Sequence, residues 1–269
     1  MISEETYNFN DWSFIALSTK SILPSIDSCK STSNAEHFDK KSAIPCSFCL
    51  YQDKLKYLPQ WPEMIFAKNH FTIIHRPSCA RIDFKALDAL LLVDNVKDWV
   101  KIQPSQNWAK ARQNCEFIKN TIKPYDWTYS TSYAGSLSGF NKVSSTSARI
   151  DMQKLAKREQ ILFYQEIPFF EDELADNGCS RLTLKFRCMP SSFFVLLRFY
   201  LRVDRVLVKI NDCRFFWETG RDFILREYSS RCKYYEEMND YEKTLCMNEN
   251  EISAHLDLTE EKCEKLEFY

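Results

Sequence analysis

The chain has 269 residues, of which 45% are hydrophobic and 14% aromatic, and its formal net charge is -1. A chain of that length and apolar content buries about three quarters of its unfolded surface, enough for one large domain or two small ones. The near-neutral charge argues against a protein that coats nucleic acid or an anionic membrane. No apolar run reaches the roughly 18 residues of a membrane helix, and the polar, acidic start MISEETYNFNDW is unlike a signal peptide, so a cytoplasmic protein is expected. The eleven cysteines are odd in number and most sit in apolar segments, which suits reduced, buried thiols.

In chain order, residues 1–20 carry the short apolar stretch Asp11 to Leu17, expected as an edge strand. Residues 21–60 lack any period and contain Pro24, Pro45 and Pro59, so they read as a loop or insertion. Within them lies Cys46-Ser47-Phe48-Cys49, with Cys29 and His37 upstream; no second CxxC follows, so neither a metal site nor any cofactor is assigned. From residue 61 to 269 one α+β domain is expected, continuous with the N-terminal segment. Strands are predicted at Phe71 to His75 and Arg81 to Phe84. A helix follows over Ala86 to Val93, with Asp88 on its first turn, where the backbone dipole favours a carboxylate. A short strand at Trp99 to Gln103, a helix at Asn107 to Phe117, an extended aromatic segment Ile122 to Tyr129 and a helix at Ile150 to Glu159 come next.

The clearest periodicity runs from Arg181 to Phe216. Leu182, Leu184, Phe186 and Cys188 alternate with polar residues, and after Met189-Pro190-Ser191 the odd positions Phe193 to Val203 are all apolar. The other face of that second strand turns from Phe194 and Leu196 to Arg198, Tyr200 and Arg202. Asp204-Arg205 reads as a two-residue hairpin loop, setting Val203 opposite Val206 and Phe199 opposite Ile210. One further strand is predicted at Phe223 to Tyr228, and one or two short helices at Ile252 to Leu266. Strands joined by short turns give mainly antiparallel sheets packed with a few short helices.

Enzymatic chemistry has little support. The four glycines, Gly135, Gly139, Gly178 and Gly220, cannot form a GxGxxG or Walker-type loop. His70 and His75, five apart on one strand, fall on opposite faces and cannot share a metal. No catalytic residues are assigned, and the chain is read as not an enzyme. The alternative is an enzyme or small-ligand protein with its pocket between sheet and helix, for which Tyr125-Asp126-Trp127 speaks.

Lys123-Pro124-Tyr125-Asp126-Trp127-Thr128-Tyr129, Arg158-Glu159-Gln160-Ile161, Phe170-Glu171-Asp172-Glu173-Leu174, Met189-Pro190-Ser191-Ser192-Phe193-Phe194 and Leu225-Arg226-Glu227-Tyr228 are shared with a known group. On these motifs the chain resembles the TIPRL family, the TOR signalling pathway regulator-like proteins, from about Pro62 onward. The resemblance implies a non-catalytic protein that binds and restrains the catalytic subunits of type 2A-like serine/threonine phosphatases and acts in TOR signalling; a monomer is expected when it is free. By motif position it implies a partner-binding surface including Asp88, Ile150, Ile210, Asn211 and Asp212; the register adds Arg198. Ile210 would supply an apolar anchor and Asp212 an acceptor, while Arg198, Arg202 and Lys209 are suited to an acidic peptide or terminal carboxylate. Each also has a purely architectural reading: Ile210 as core against Phe199, Asp212 paired with Arg214, the cations as a solvated face. The family usually has Asp-Gly where this chain has Asp204-Arg205, and arginine at positive φ is costly.

Overall fold

The structure, a computed structural model, describes residues 3–20, 22–23, 47–58, 61–93, 100–102, 123–125, 129–157, 159–174 and 176–269. The chain opens with strands β1 (Ser3–Phe9) and β2 (Trp12–Ser18), a hairpin whose turn holds Asn10 at φ 48°, a conformation asparagine tolerates. Helix α1 (Ser47–Lys54) is followed by β3 (Met64–Ile65), β4 (His70–His75), β5 (Ala80–Lys85) and the short helix α2 (Ala86–Leu90). Strands β6 (Val100–Ile102) and β7 (Lys123–Tyr125) pair with each other, and among the described residues with no other strand. Then come β8 (Ser136–Ser138), β9 (Lys142–Ser145) and helix α3 (Met152–Ala156), whose cap Asp151 accepts the Lys154 amide at 3.0 Å.

Four long strands follow β10 (Phe163–Asp172): β11 (Gly178–Met189), β12 (Ser192–Val203), β13 (Leu207–Glu218) and β14 (Phe223–Tyr234). Helices α4 (Asp240–Leu245) and α5 (Glu249–Ile252) lead into β15 (Asp257–Glu267). Asparagines start both helices: Asn239 and Glu242 form a reciprocal capping box, and the Asn248 side chain accepts from the Asn250 and Glu251 amides. All named pairings are antiparallel. They build a five-stranded sheet in the order β1-β2-β4-β5-β8 and an eight-stranded sheet in the order β3-β10-β11-β12-β13-β14-β15-β9. The α+β class with mainly antiparallel sheets and few short helices is as expected.

The two sheets bury one face against each other. Phe14 of the small sheet meets Phe186 and Phe193 of the large one at ring-centroid distances of 4.6 and 5.3 Å, and Trp12 meets Trp217 at 5.4 Å. Phe84 meets Phe215 at 5.5 Å. The alternating residues Leu182, Leu184, Phe186 and Cys188, and Phe193 through Val203, are the large sheet's share of this core. Each such side chain contributes about 2–3 kcal/mol of burial, so the period-two pattern is the main source of the sandwich.

Four expectations need correction. The β12–β13 loop has three residues, Asp204, Arg205 and Val206, and Val203 faces Leu207, not Val206. Arg205 lies at φ 60°, and the extra residue relieves the turn that two residues would impose. The shift by one reverses the faces of β13: Ile210 lies opposite Tyr200, and Phe199 opposite Asn211. Ile252 to Leu266 is not helical beyond α5 and a 3-10 turn at Ser253–His255, because β15 pairs along nearly all of β14. Within 21–60, residues Ser47–Lys54 are helical, so Cys49 lies in a helix. Finally, the cationic face of β12 is largely covered, not solvated. Cys29, His37, Cys46, the expected helix at 107–117 and Asp126-Trp127 lie outside the described residues.

Candidate partner-binding site

The outer face of the large sheet is covered at its two ends and half-buried between them. At one end α3 and its approach pack Ile150 and Leu155 over Phe216, Leu225 and Met189, with Phe194 beside them. The Ile150 amide donates to the Glu227 carboxylate at 2.6 Å, which ties this cover to β14. At the other end α4, α5 and the adjoining turns pack Met238, Leu245, Ile252 and Leu256 over Tyr200, Val208 and Ile210. Burial pushes the Tyr200 hydroxyl up to about 12.

Between the covers lies a trough two residues wide along the strands. One row across it is Lys185, Leu196, Arg214 and Glu227, and the next is Thr183, Arg198, Asp212 and Ser229. Its floor is held by a nearly dry ion pair. Arg198 Nε and Nη2 donate to the two Asp212 oxygens, each at 2.7 Å, and Arg198 Nη1 reaches Asn250 Oδ1 of α5 at 2.8 Å. Burial pulls the Arg198 guanidinium down, but the bonds and charge of Asp212 more than offset this and hold it above its ordinary value. Arg214 Nη2 also donates to Asp212 at 3.1 Å, yet its side chain remains 29% exposed against 8% for Arg198. Lys185, at 38%, leans on Glu166 at 3.3 Å. Arg214 and Lys185 are thus the cations of these two rows that keep contact with solvent, in a row that also carries the carboxylates of Glu166, 49% exposed, and Glu227.

Four of the six candidate residues border this trough. Ile150 and Ile210 anchor its two covers, and Arg198 and Asp212 form its floor. All four are buried, at 6% exposure or less. Ile210 does not pack on Phe199; it is the floor beneath α4 and α5, a consequence of the one-residue register shift.

Asp88 and Asn211 lie elsewhere. Asn211 points to the inner side of β13 and donates from Nδ2 to the Thr131 carbonyl at 2.8 Å. Its Oδ1 is buried with no hydrogen bond among the described residues. Asp88, half-buried in α2, accepts from Ser136 Oγ at 2.8 Å. Both residues thus hold the same segment, Ser130 to Ser136, from opposite sides. Lys209, expected beside Arg198 and Arg202, faces that segment too and donates to Ser130 Oγ at 2.7 Å.

Sequence reasoning missed Arg214 and Lys185 as the solvent-facing cations, and Glu227 as the link to α3. The signal was present: with a three-residue loop, Arg214 falls in the row of Leu196 and Lys185. Among the described residues no group of three histidine, cysteine or acidic side chains could hold a metal ion, and no helix is long and apolar enough to cross a membrane.

Comparison with known proteins follows the same span. The model of the TIP41-like family matches residues 64–239. A TIP41-like protein of Homo sapiens is 44% identical over 215 residues, covering 79% of each chain. A TIP41-like protein of Caenorhabditis elegans is 38% identical over 266 residues, covering 98% of this chain and 90% of the relative. The type 2A phosphatase activator TIP41 of Saccharomyces cerevisiae is 36% identical over 191 residues, covering 65% of this chain and 53% of the relative.

Proposed function

The chain belongs to the TIP41-like family, and from that premise we propose that it is a non-catalytic regulator of type 2A-like serine/threonine phosphatases. It binds their catalytic subunits, acts within TOR signalling and works in the cytoplasm as a monomer when free. The fungal relatives named as type 2A phosphatase activators support the partner class. The observation that carries the reading to this chain is the trough, a half-buried strip of sheet between short helices in which Arg214 and Lys185 keep solvent-facing charge beside Glu166 and Glu227.

A trough of this kind suits an acidic peptide or a terminal carboxylate. Arg214 and Lys185 receive it, since each retains exposed donors, whereas the charge of Arg198 is committed to Asp212. Arg198, Asp212, Ile210 and Ile150 act by fixing the floor and covers. Their buried side chains would shape the surface without meeting the partner.

The test is a pull-down with purified type 2A catalytic subunits, followed by a phosphatase assay of the complex. Retention of the subunit by the wild type, reduced at least tenfold by Arg214→Glu, is expected. The assay gives the sign of regulation: the resemblance implies restraint, whereas the fungal names say activation. No retention by the wild type, or retention untouched by Arg214→Glu, would count against the reading.

A further inference from the structure

We infer that the open edge of β10 is a strand-addition site for an extended basic segment of another protein. On one side β10 pairs with β11 along its length. On the other, β3 pairs with it at Phe170 and Glu171, the Phe66 amide donates to the Phe169 carbonyl at 2.9 Å, and Asn69 Nδ2 donates to the Pro168 carbonyl at 2.8 Å. From Phe163 to Ile167 no strand among the described residues pairs with this second side. That stretch offers about 17 Å of backbone edge to an incoming strand.

Sheet edges are commonly closed to other chains by lysine, proline or a bulge, because an open edge is a template for pairing. In β10 such devices lie past the open stretch: Pro168 lacks an amide hydrogen, and the register slips between Pro168 and Phe170. The residues before them, Phe163 to Ile167, include no proline, lysine or arginine. Their one charged residue is Glu166, and a carboxylate on an edge repels acidic strands while attracting basic ones.

Side chains on both flanks of the edge set the chemistry of its occupant. On the inner flank lies β1, the edge strand of the small sheet: Tyr7 stacks on Phe163 at 4.9 Å, and Glu5 accepts from Gln165 Nε2 at 2.8 Å. On the outer flank Tyr164, 49% exposed, donates to Glu166 at 3.0 Å. β1 adds Glu4, and neither β1 nor β10 carries a lysine, arginine or histidine. Of the neighbouring cations on β11, Lys185 shares Glu166 at 3.3 Å, and Arg187 is turned to the Leu155 carbonyl at 3.1 Å. Glu4 and Glu5 are exposed with no ion pair of their own among the described residues, so the edge is acidic on balance. An extended segment satisfies the backbone, sets lysine or arginine side chains against Glu5 and Glu166, and lays the residues between them on Tyr7 and Tyr164. Its charge is opposite to that of the occupant of the trough, and the inference does not rest on the phosphatase reading.

The test titrates the full chain with an acetylated, amidated nonapeptide that alternates lysine with valine. Two controls are the same peptide N-methylated at its consecutive central amides and the peptide with glutamate for lysine. One-to-one binding that weakens with salt is expected for the first, with at least tenfold loss for each control and for the variant Glu5→Lys/Glu166→Lys. Amide exchange across 163–167 should be fast in the free protein and slow in the complex. Equal binding of the N-methylated peptide would mean charge attraction without strand pairing, and binding untouched by the double variant would place the peptide elsewhere; either overturns the inference. So does an absence of binding, or slow exchange at 163–167 in the free protein, which would mean that the edge is already paired within the chain. Should the double variant fail to fold, the two control peptides and the exchange measurement on the wild type decide.

Discussion

Arg198 and Asp212 face one another across adjacent strands, joined by two 2.7 Å bonds with side chains only 8% and 3% exposed. Two residues read as surface contacts are thus the internal floor of a trough. Removing Asp212 strands a buried guanidinium, so Asp212→Ala should cost about 3–5 kcal/mol in urea unfolding. The double variant Arg198→Met/Asp212→Leu should recover much of that loss. Equal destabilisation by single and double variants would mean the pair is not coupled as described.

Ile210 is 1% exposed under the α4–α5 cover. Ile210→Ala should lower stability by about 2–5 kcal/mol through the cavity it leaves. Amide exchange should rise first in residues 240–256. A loss of partner binding with no change in unfolding free energy would instead make Ile210 a contact.

Arg205 holds a left-handed φ of 60° in the three-residue turn. Glycine meets no Cβ penalty there, so Arg205→Gly should stabilise the fold by about 0.5–1 kcal/mol, after the flexibility it adds to the unfolded chain. Denaturant midpoints of the two proteins check this.

Asp172 is fully buried and its carboxyl is pushed up to about 6 by burial, despite accepting the Leu174 and Glu63 amides. The folded state therefore holds this proton more tightly than the unfolded chain. Its contribution to stability is complete below the ordinary carboxylate value of 3.8 and is lost as pH rises through about 6, a change on the order of 2–3 kcal/mol. Unfolding measured from pH 4 to 7 should show that slope in the wild type and lose it in Asp172→Asn.

The legible part of this fold was the part written as alternation. Leu182 to Val203 announced two strands with one shared buried face, and that face is where the small sheet packs. The register of β13 was not legible, because Val203, Val206, Val208 and Ile210 offer matching apolar partners whether the loop has two residues or three. Its outer face is apolar for a reason sequence alone could not supply, since α4 and α5 come from some 30 residues downstream to cover it. β15 was read as helix because its residues are mostly charged and only Cys263 and Leu266 within it are buried; pairing with β14 decided the matter. Of the candidate site, the pairing of Asp212 with Arg214 was legible as an architectural reading, whereas the ion pair of Asp212 with Arg198 and the cover over Ile210 were not, because both depend on the register of β13. Asp88 and Asn211 are far apart in sequence, and only the fold shows that they clamp one segment.

The central claim is that Arg214 receives an acidic element of a type 2A phosphatase catalytic subunit over a floor set by Arg198 and Asp212. Isothermal titration of the purified protein with that subunit, at low and high salt, tests it most directly. The account predicts a one-to-one complex that weakens with salt and at least tenfold on Arg214→Glu, measured well below the lowered Tm that follows from replacing a donor to the buried Asp212. A complex of equal affinity with and without the Arg214 charge, or no complex at all, would contradict it.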